Sequence, residues 1–223
     1  YFRKRRQREI NNLKFTLLPI AVIVALLGTL VVAEPDLGTA LSMVLVTATL
    51  LFVAGLDVRW YAFSLMAAVP IFYFLVYRVS WRYDRILAFL HPWDDPLGKG
   101  FQIIQSLISV GGGGGLGVGY MEGKQKLFYL PEAHTDFIYS VVGEEIGLIG
   151  TLGVLILFGV FLWRGLRAAT HAPDPFGFYL ALGISGVVCI QAFINMSVVL
   201  GLMPTKGIPL PFLSYGGSSF VVM

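Results

Sequence analysis

The amino-acid sequence predicts an all-α, polytopic transmembrane helical bundle with a long extracytoplasmic loop that carries a short interfacial or re-entrant helix. Three observations predict it. Of 223 residues, 57% are hydrophobic and 13% are charged, where a soluble domain carries about 25% charged residues. The apolar residues gather into blocks long enough, at 1.5 Å per residue, to cross a hydrocarbon core of about 30 Å. Between the third and fourth blocks, at about residues 80–143, lies a polar, aromatic and glycine-rich stretch too varied to be a span. The net charge of +3 does not indicate nucleic acid, because the basic residues sit at the edges of apolar blocks and form no basic-aromatic soluble face. The single cysteine, Cys189, lies inside an apolar block and reads as a small apolar filler.

Taken in order, the basic opening Arg3-Lys4-Arg5-Arg6-Gln7-Arg8 precedes a first span at about residues 15–33. That block is too long for a signal peptide and no small-residue cleavage site follows it. Instead Glu34-Pro35-Asp36-Leu37-Gly38 leads into a second span at about 39–56, so the pair reads as a helical hairpin. Further spans are expected at about 60–79, 146–163 and 176–203, and a sixth begins near Phe212 and stops at Met223. The chain therefore reads as a single membrane domain, residues 1–223, cut from a larger protein. Placing the amino terminus in the cytoplasm puts Arg3, Lys4, Arg5, Arg6, Arg8, Lys14, Arg59, Arg164 and Arg167 inside and leaves Lys206 alone in the short outer loops. That bias is the one membrane proteins favour, so the chemistry is expected to face outward.

The outer segment contains Trp81-Arg82-Tyr83-Asp84-Arg85, the turn-rich stretch from His91 to Gly98, and a short apolar run from Phe101 to Val110. Ten apolar residues cannot span, hence the interfacial or re-entrant helix. Next come glycines 111–115, then Gly117 and Gly119. The run matches G-x-G-x-x-G only formally, without the strand before and helix after that a dinucleotide site needs, and no Gly-Lys-Ser/Thr follows it. It reads as a turn or a place of close backbone approach. Backbone amides cradling a diphosphate are the alternative.

The densest polar cluster is Leu130-Pro131-Glu132-Ala133-His134-Thr135-Asp136-Phe137, followed by Gly143-Glu144-Glu145 at a span's edge. Ionisable groups near hydrocarbon tend to face a polar cavity or a partner, which marks a functional site. A solvated loop, with the two glutamates complementing a helix amino terminus, accounts for the composition equally well. Carboxylates and imidazole can share a divalent ion, although the spacing matches no tight ligand motif. Glu34 and Asp36 suit helix caps, and Lys206 suits snorkelling. Arg82 and Arg85, three apart, suit either a phosphate or interfacial anchoring.

Several stretches together resemble the SEDS proteins (shape, elongation, division and sporulation). They are Glu34-Pro35-Asp36-Leu37-Gly38-Thr39, the segment from His91 to Gln102 with Gln105-Ser106-Leu107, and Gln125-Lys126-Leu127-Phe128-Tyr129-Leu130-Pro131-Glu132-Ala133-His134-Thr135-Asp136-Phe137-Ile138. Gly143-Glu144-Glu145, Asn195 and the run from Pro204 through Ser214-Tyr215-Gly216-Gly217-Ser218-Ser219 continue the match in family order. Gln102 and Thr205-Lys206-Gly207 look more like the division branch than the elongation branch. Glu34 departs from the family's usual glutamine. The resemblance implies polymerisation of lipid II into glycan strands at the outer face of the cytoplasmic membrane, beside a class B penicillin-binding protein and other division proteins, with no nucleic acid involved. It implies Asp136 as the catalytic base. Cations for the diphosphate would come from Arg82, Arg85, Lys124, Lys126 and Lys206, or from a divalent metal, Mg or Mn. Gln105, Ser214 and Ser218 would line the substrate cavity, with Glu132, His134, Glu144 and Glu145 in support. A lipid II flippase, a non-catalytic division scaffold and a metal-dependent membrane hydrolase are the rival functions.

Overall fold

In a computed structural model, residues 11–34, 36–124 and 131–215 are described, and among them every regular element is a helix. They form helices α1 (Leu18–Ala33), α2 (Leu37–Val53), α3 (Val58–Tyr77), α4 (Ser80–Leu90), α5 (Phe101–Gly113), α6 (Ile138–Thr170) and α7 (Pro175–Val199). A π-helical turn precedes α1 and a single 3-10 turn, Pro92–Asp94, follows α4. Helices α3, α6 and α7 are long and apolar enough to cross a membrane, and α1 and α2 are shorter apolar helices. The last block, expected from Phe212, is turn structure as far as Tyr215, and its remainder lies outside the described residues.

The chain divides into two compact units. The first comprises Tyr1–Phe74 and Val160–Ile190. Here Asp36 caps α2: its carboxylate accepts from the Thr39 backbone N–H at 3.0 Å and from the Thr39 hydroxyl, a cap worth about 1 kcal/mol. The Tyr61 hydroxyl donates to the Ala48 carbonyl at 2.8 Å and ties α3 to α2. Beneath that bond Ala54 and Leu56 are buried among Leu51, Trp60, Tyr61 and Tyr179. Along α3, Phe63, Leu65, Val69 and Phe72 are all exposed, as suits side chains whose solvent is hydrocarbon.

The second unit comprises Leu75–Gly159 and Gln191–Met223. The predicted long loop is largely helical: α4 and α5 lie within it, and α6 starts at Ile138, ahead of the span expected at 146. Two serines hold α5 in place. The Ser106 hydroxyl donates to the Val199 carbonyl at 2.8 Å, and Ser109 donates to the Ser140 carbonyl at 2.9 Å. On α5, Ile103 and Ile104 are buried with them. Helix α7 ends at Val199, short of the expected 203, because Gly201 is left-handed at φ 67. Its N–H donates to Val198 and that of Leu202 to Ser197, the paired bonds that close a helix at a glycine.

The glycine run has a structural purpose. Helix α6 breaks at Gly147, where φ is 70 and ψ −156, so carbonyls before the break and amides after it lack helical partners. The glycine segment supplies them. The N–H groups of Val118 and Gly119 donate to the carbonyls of Glu144 and Glu145 at 2.9 and 3.1 Å, and those of Leu148 and Ile149 donate to Gly114 and Gly115 at 2.9 and 3.4 Å. Such contact demands bare backbone: a Cβ on Gly113 would overlap the Gly143 carbonyl, and one on Gly117 the Glu145 carbonyl. That close packing also explains why α5 continues into the run against glycine's low helix propensity. The amides of Val118 and Gly119 are thus committed to α6, and of the two sequence readings close backbone approach is the one realised there.

Candidate active site

Asp136 sits at the end of a tight turn just before α6. Glu132 takes a left-handed conformation, φ 56, so that its carbonyl accepts from the N–H groups of both Thr135 and Phe137 at 3.2 Å. The Thr135 hydroxyl donates to the Glu132 carboxylate at 2.8 Å. Ala133 and Phe137 point inward and are buried, which anchors the turn and leaves Asp136 half-buried at its rim.

The segment after α7 wraps this turn. Asn195, buried on α7, donates from Nδ2 to two carbonyls, that of Asp136 at 2.6 Å and that of Ile208 at 2.8 Å. Ser214 donates to the Thr135 carbonyl and accepts from the Leu210 N–H at 2.7 Å. The Tyr215 N–H donates to the His134 carbonyl at 2.9 Å. Asp136 is therefore fixed through its backbone. Its carboxylate lies over Gly207, where a Cβ would stand 3.0 Å from Oδ2, so Lys206 and Gly207 adjoin the carboxylate along the chain.

Arginine enters from α4. Arg82 and Arg85 both lie 5.1 Å from the Trp81 ring centre. They diverge from there. Arg85 reaches toward the Thr205 carbonyl, at 3.5 Å from Nη1, and so approaches the Lys206–Gly207 corner. Arg82 is buried and donates to the Leu75 carbonyl at 3.1 Å, helping to close the end of α3. Nearby, Lys99 pairs with Asp84 at 2.8 Å, and that hydrogen bond raises the lysine's pKa above its ordinary value.

Glu144 and Glu145 are buried and face the loop that leads to the turn. Glu144 accepts from the Lys124 backbone N–H at 2.9 Å and Glu145 from that of Met121 at 3.1 Å. Both carboxylates therefore hold the loop by its backbone, immediately before the break in α6 at Gly147. Of the sequence-predicted site, then, Ser214 bonds the turn that carries Asp136, Glu132 and His134, Lys206 precedes the Gly207 that the Asp136 carboxylate approaches, and Arg85 reaches the Thr205 carbonyl one residue before it. Lys124 is tied to Glu144 by its backbone, and Gln105 is half-exposed on α5 beside Ser106. Lys126 and Ser218 lie outside the described residues. Among the described residues no three His, Cys, Asp or Glu side chains converge to hold a metal.

Asn195 and Gly207 are absent from the sequence-predicted site. Asn195 had a signal, being with Gln191 one of two amides in an apolar span, where polar groups find partners. Replacing it with Ala leaves two carbonyls without their donor, and an unsatisfied buried group costs about 1–3 kcal/mol. Asn195→Ala is therefore expected to lower the thermal midpoint and slow turnover together, measured by melting and single-condition activity of the same preparation.

Comparison with known proteins places the chain. The model of the FtsW/RodA/SpoVE cell cycle protein family matches residues 1–223. The chain belongs to this family. It is 50% identical over 222 residues to the probable peptidoglycan glycosyltransferase FtsW of Geobacter sulfurreducens strain DL-1 / KN400, covering 100% of this chain and 60% of that protein. It is 45% identical over 222 residues to the stage V sporulation protein E of Bacillus subtilis strain 168, covering 100% of this chain and 61% of that protein. Among solved structures it resembles a chain from a study of how a peptidoglycan synthase complex coordinates polymerization and crosslinking, with TM-score 0.70, 33% identity, and coverage of 90% and 56% of the two chains. It also resembles a mutant of the rod shape determining protein RodA of Thermus thermophilus, with TM-score 0.59, 26% identity, and coverage of 96% and 56%. The chain thus spans about 60% of the length of these curated relatives. As a member of the family it is a membrane protein, and its apolar helices α3, α6 and α7 agree.

Proposed function

We propose that this protein, in its full length, is a peptidoglycan glycosyltransferase that polymerises lipid II at the outer face of the cytoplasmic membrane during cell division. The observation that carries the reading is Asp136: a carboxylate at a half-buried rim, held by a bond to its backbone carbonyl and lying over Gly207, two residues beyond the Thr205 carbonyl that Arg85 reaches. In the reaction the acceptor sugar's hydroxyl oxygen bonds to the donor's anomeric carbon, and the bond from that carbon to the undecaprenyl diphosphate breaks. The hydroxyl proton passes to Asp136 as general base. The diphosphate leaves as a weak base that needs no protonation, unlike the leaving group of simple glycoside hydrolysis. Its charge is met by fixed cations, for which Lys206 on the wrapping segment and Arg85 on α4 are the candidates. The distribution of basic residues supports an outward-facing site. The names of the relatives support glycosyl transfer, the family's description as cell cycle proteins supports the division role, and the synthase complex supports a crosslinking partner, which this reading takes to be a class B penicillin-binding protein.

A flippase would carry polar groups through the depth of the membrane. Here residues 148–163 of α6 and 175–194 of α7 contain no charged side chain, which favours polymerisation. The deciding experiment presents labelled lipid II to the full-length protein with its transpeptidase partner and resolves products by gel. Glycan strands are expected. Transfer of lipid II between leaflets without any polymer would replace this reading with transport, and neither product would leave the scaffold.

A further inference from the structure

We propose that the end of α6 carries a binding site for a membrane-lipid headgroup bearing two phosphates, formed by Arg164, Arg167 and His171. These residues lie three and four apart, which puts them on one helix face, and with Ala168 they line a recess of roughly 400 Å³. The position is right for a headgroup. The charge-free run of α6 ends at Trp163, whose exposed indole marks the level where tryptophan gathers at membrane surfaces. The Arg167 guanidinium lies 6.0 Å from that ring.

Helix capping does not account for the two arginines. The carbonyl of Arg167 in the last turn already accepts from the His171 N–H at 3.2 Å, from His171 Nδ1 at 2.8 Å and from the Thr170 hydroxyl at 3.0 Å. Ion pairing does not account for them either. Among the described residues no carboxylate lies within 4.0 Å of either guanidinium, and Asp174, next along the chain, accepts from the Gly177 N–H at 3.3 Å. Two fork-shaped donors therefore stand at headgroup level, and each matches one phosphate in bidentate fashion. His171, with Nδ1 given to a carbonyl, leaves Nε2 for the ligand. A headgroup with one phosphate satisfies one fork, and a headgroup with two satisfies both. The site shares no residue with Asp136 and its surroundings, and it stands whether or not the proposed reaction is correct.

The test titrates detergent-solubilised full-length protein with diphosphatidylglycerol, phosphatidylglycerol and phosphatidylcholine and counts bound lipid by native mass spectrometry. Wild type is expected to prefer diphosphatidylglycerol, and Arg164→Gln/Arg167→Gln to bind it about thirtyfold more weakly, as about 1 kcal/mol for each of two basic residues near a membrane surface implies. Arg164→Lys/Arg167→Lys keeps the charge and the topology signal but loses the forks, and is expected to bind both anionic lipids alike. Equal affinity of wild type for the two anionic lipids would overturn the proposal. So would undiminished diphosphatidylglycerol binding or an undiminished preference in the lysine variant.

Discussion

Full-length protein carrying Asp136→Asn is expected to fold, to bind lipid II and to form glycan at less than about one hundredth of the wild-type rate, since removing a general base costs about 10²–10⁴. The expectation of normal folding follows from how the residue is held. Asn195 grips the Asp136 carbonyl, Ser214 the Thr135 carbonyl and Tyr215 the His134 carbonyl, and none of these bonds uses the carboxylate. Asparagine is nearly isosteric and leaves the close approach to Gly207 unchanged. Lost chemistry can thus be separated from lost structure. The variant's melting midpoint and its elution with the transpeptidase should match wild type while the polymer ladder disappears. A full ladder from Asp136→Asn would remove Asp136 from the mechanism, and a collapsed preparation would contradict the backbone account of the turn.

The apolar helices α3, α6 and α7 were legible because an apolar block of membrane length has few other uses, and each follows a block visible in the sequence. The cluster around Asp136 was legible as a density of ionisable groups at a span's edge. Periodicity could not show the break in α6. Gly147 is one of several glycines there, with Gly143 and Gly150 on either side, and only tertiary contact with Gly115 and Gly117 reveals that the helix parts at this one. For the same reason the purpose of the glycine run stayed open, because bare backbone serves a ligand and a neighbouring chain equally well. The arginines show another limit. Spacing put Arg82 and Arg85 on one face, yet one closes the end of α3 and the other reaches Thr205. Such a division depends on which carbonyls tertiary folding brings near.

The break itself yields the second large effect, on stability. Gly147→Ala is expected to destabilise the fold by about 3 kcal/mol or more, because φ 70 with ψ −156 is a conformation open essentially to glycine alone. Strain is only part of the cost. The new Cβ would overlap the Gly117 amide nitrogen and stand 2.8 Å from the Gly115 carbonyl oxygen, driving apart the two segments whose hydrogen bonds replace those missing from α6. The bonds from Leu148 and Ile149 to Gly114 and Gly115 would go with them, as would the seating of the loop on Glu144 and Glu145. Gly153→Ala is the matched control, since that glycine sits in the regular part of α6 with nothing within 4 Å of a new Cβ. It is expected to be neutral or to gain up to about 1 kcal/mol. Melting of the two full-length variants in detergent separates the cases: a Gly147→Ala midpoint equal to that of Gly153→Ala would mean that α6 tolerates an unbroken helix, and that the glycine run is not what completes it.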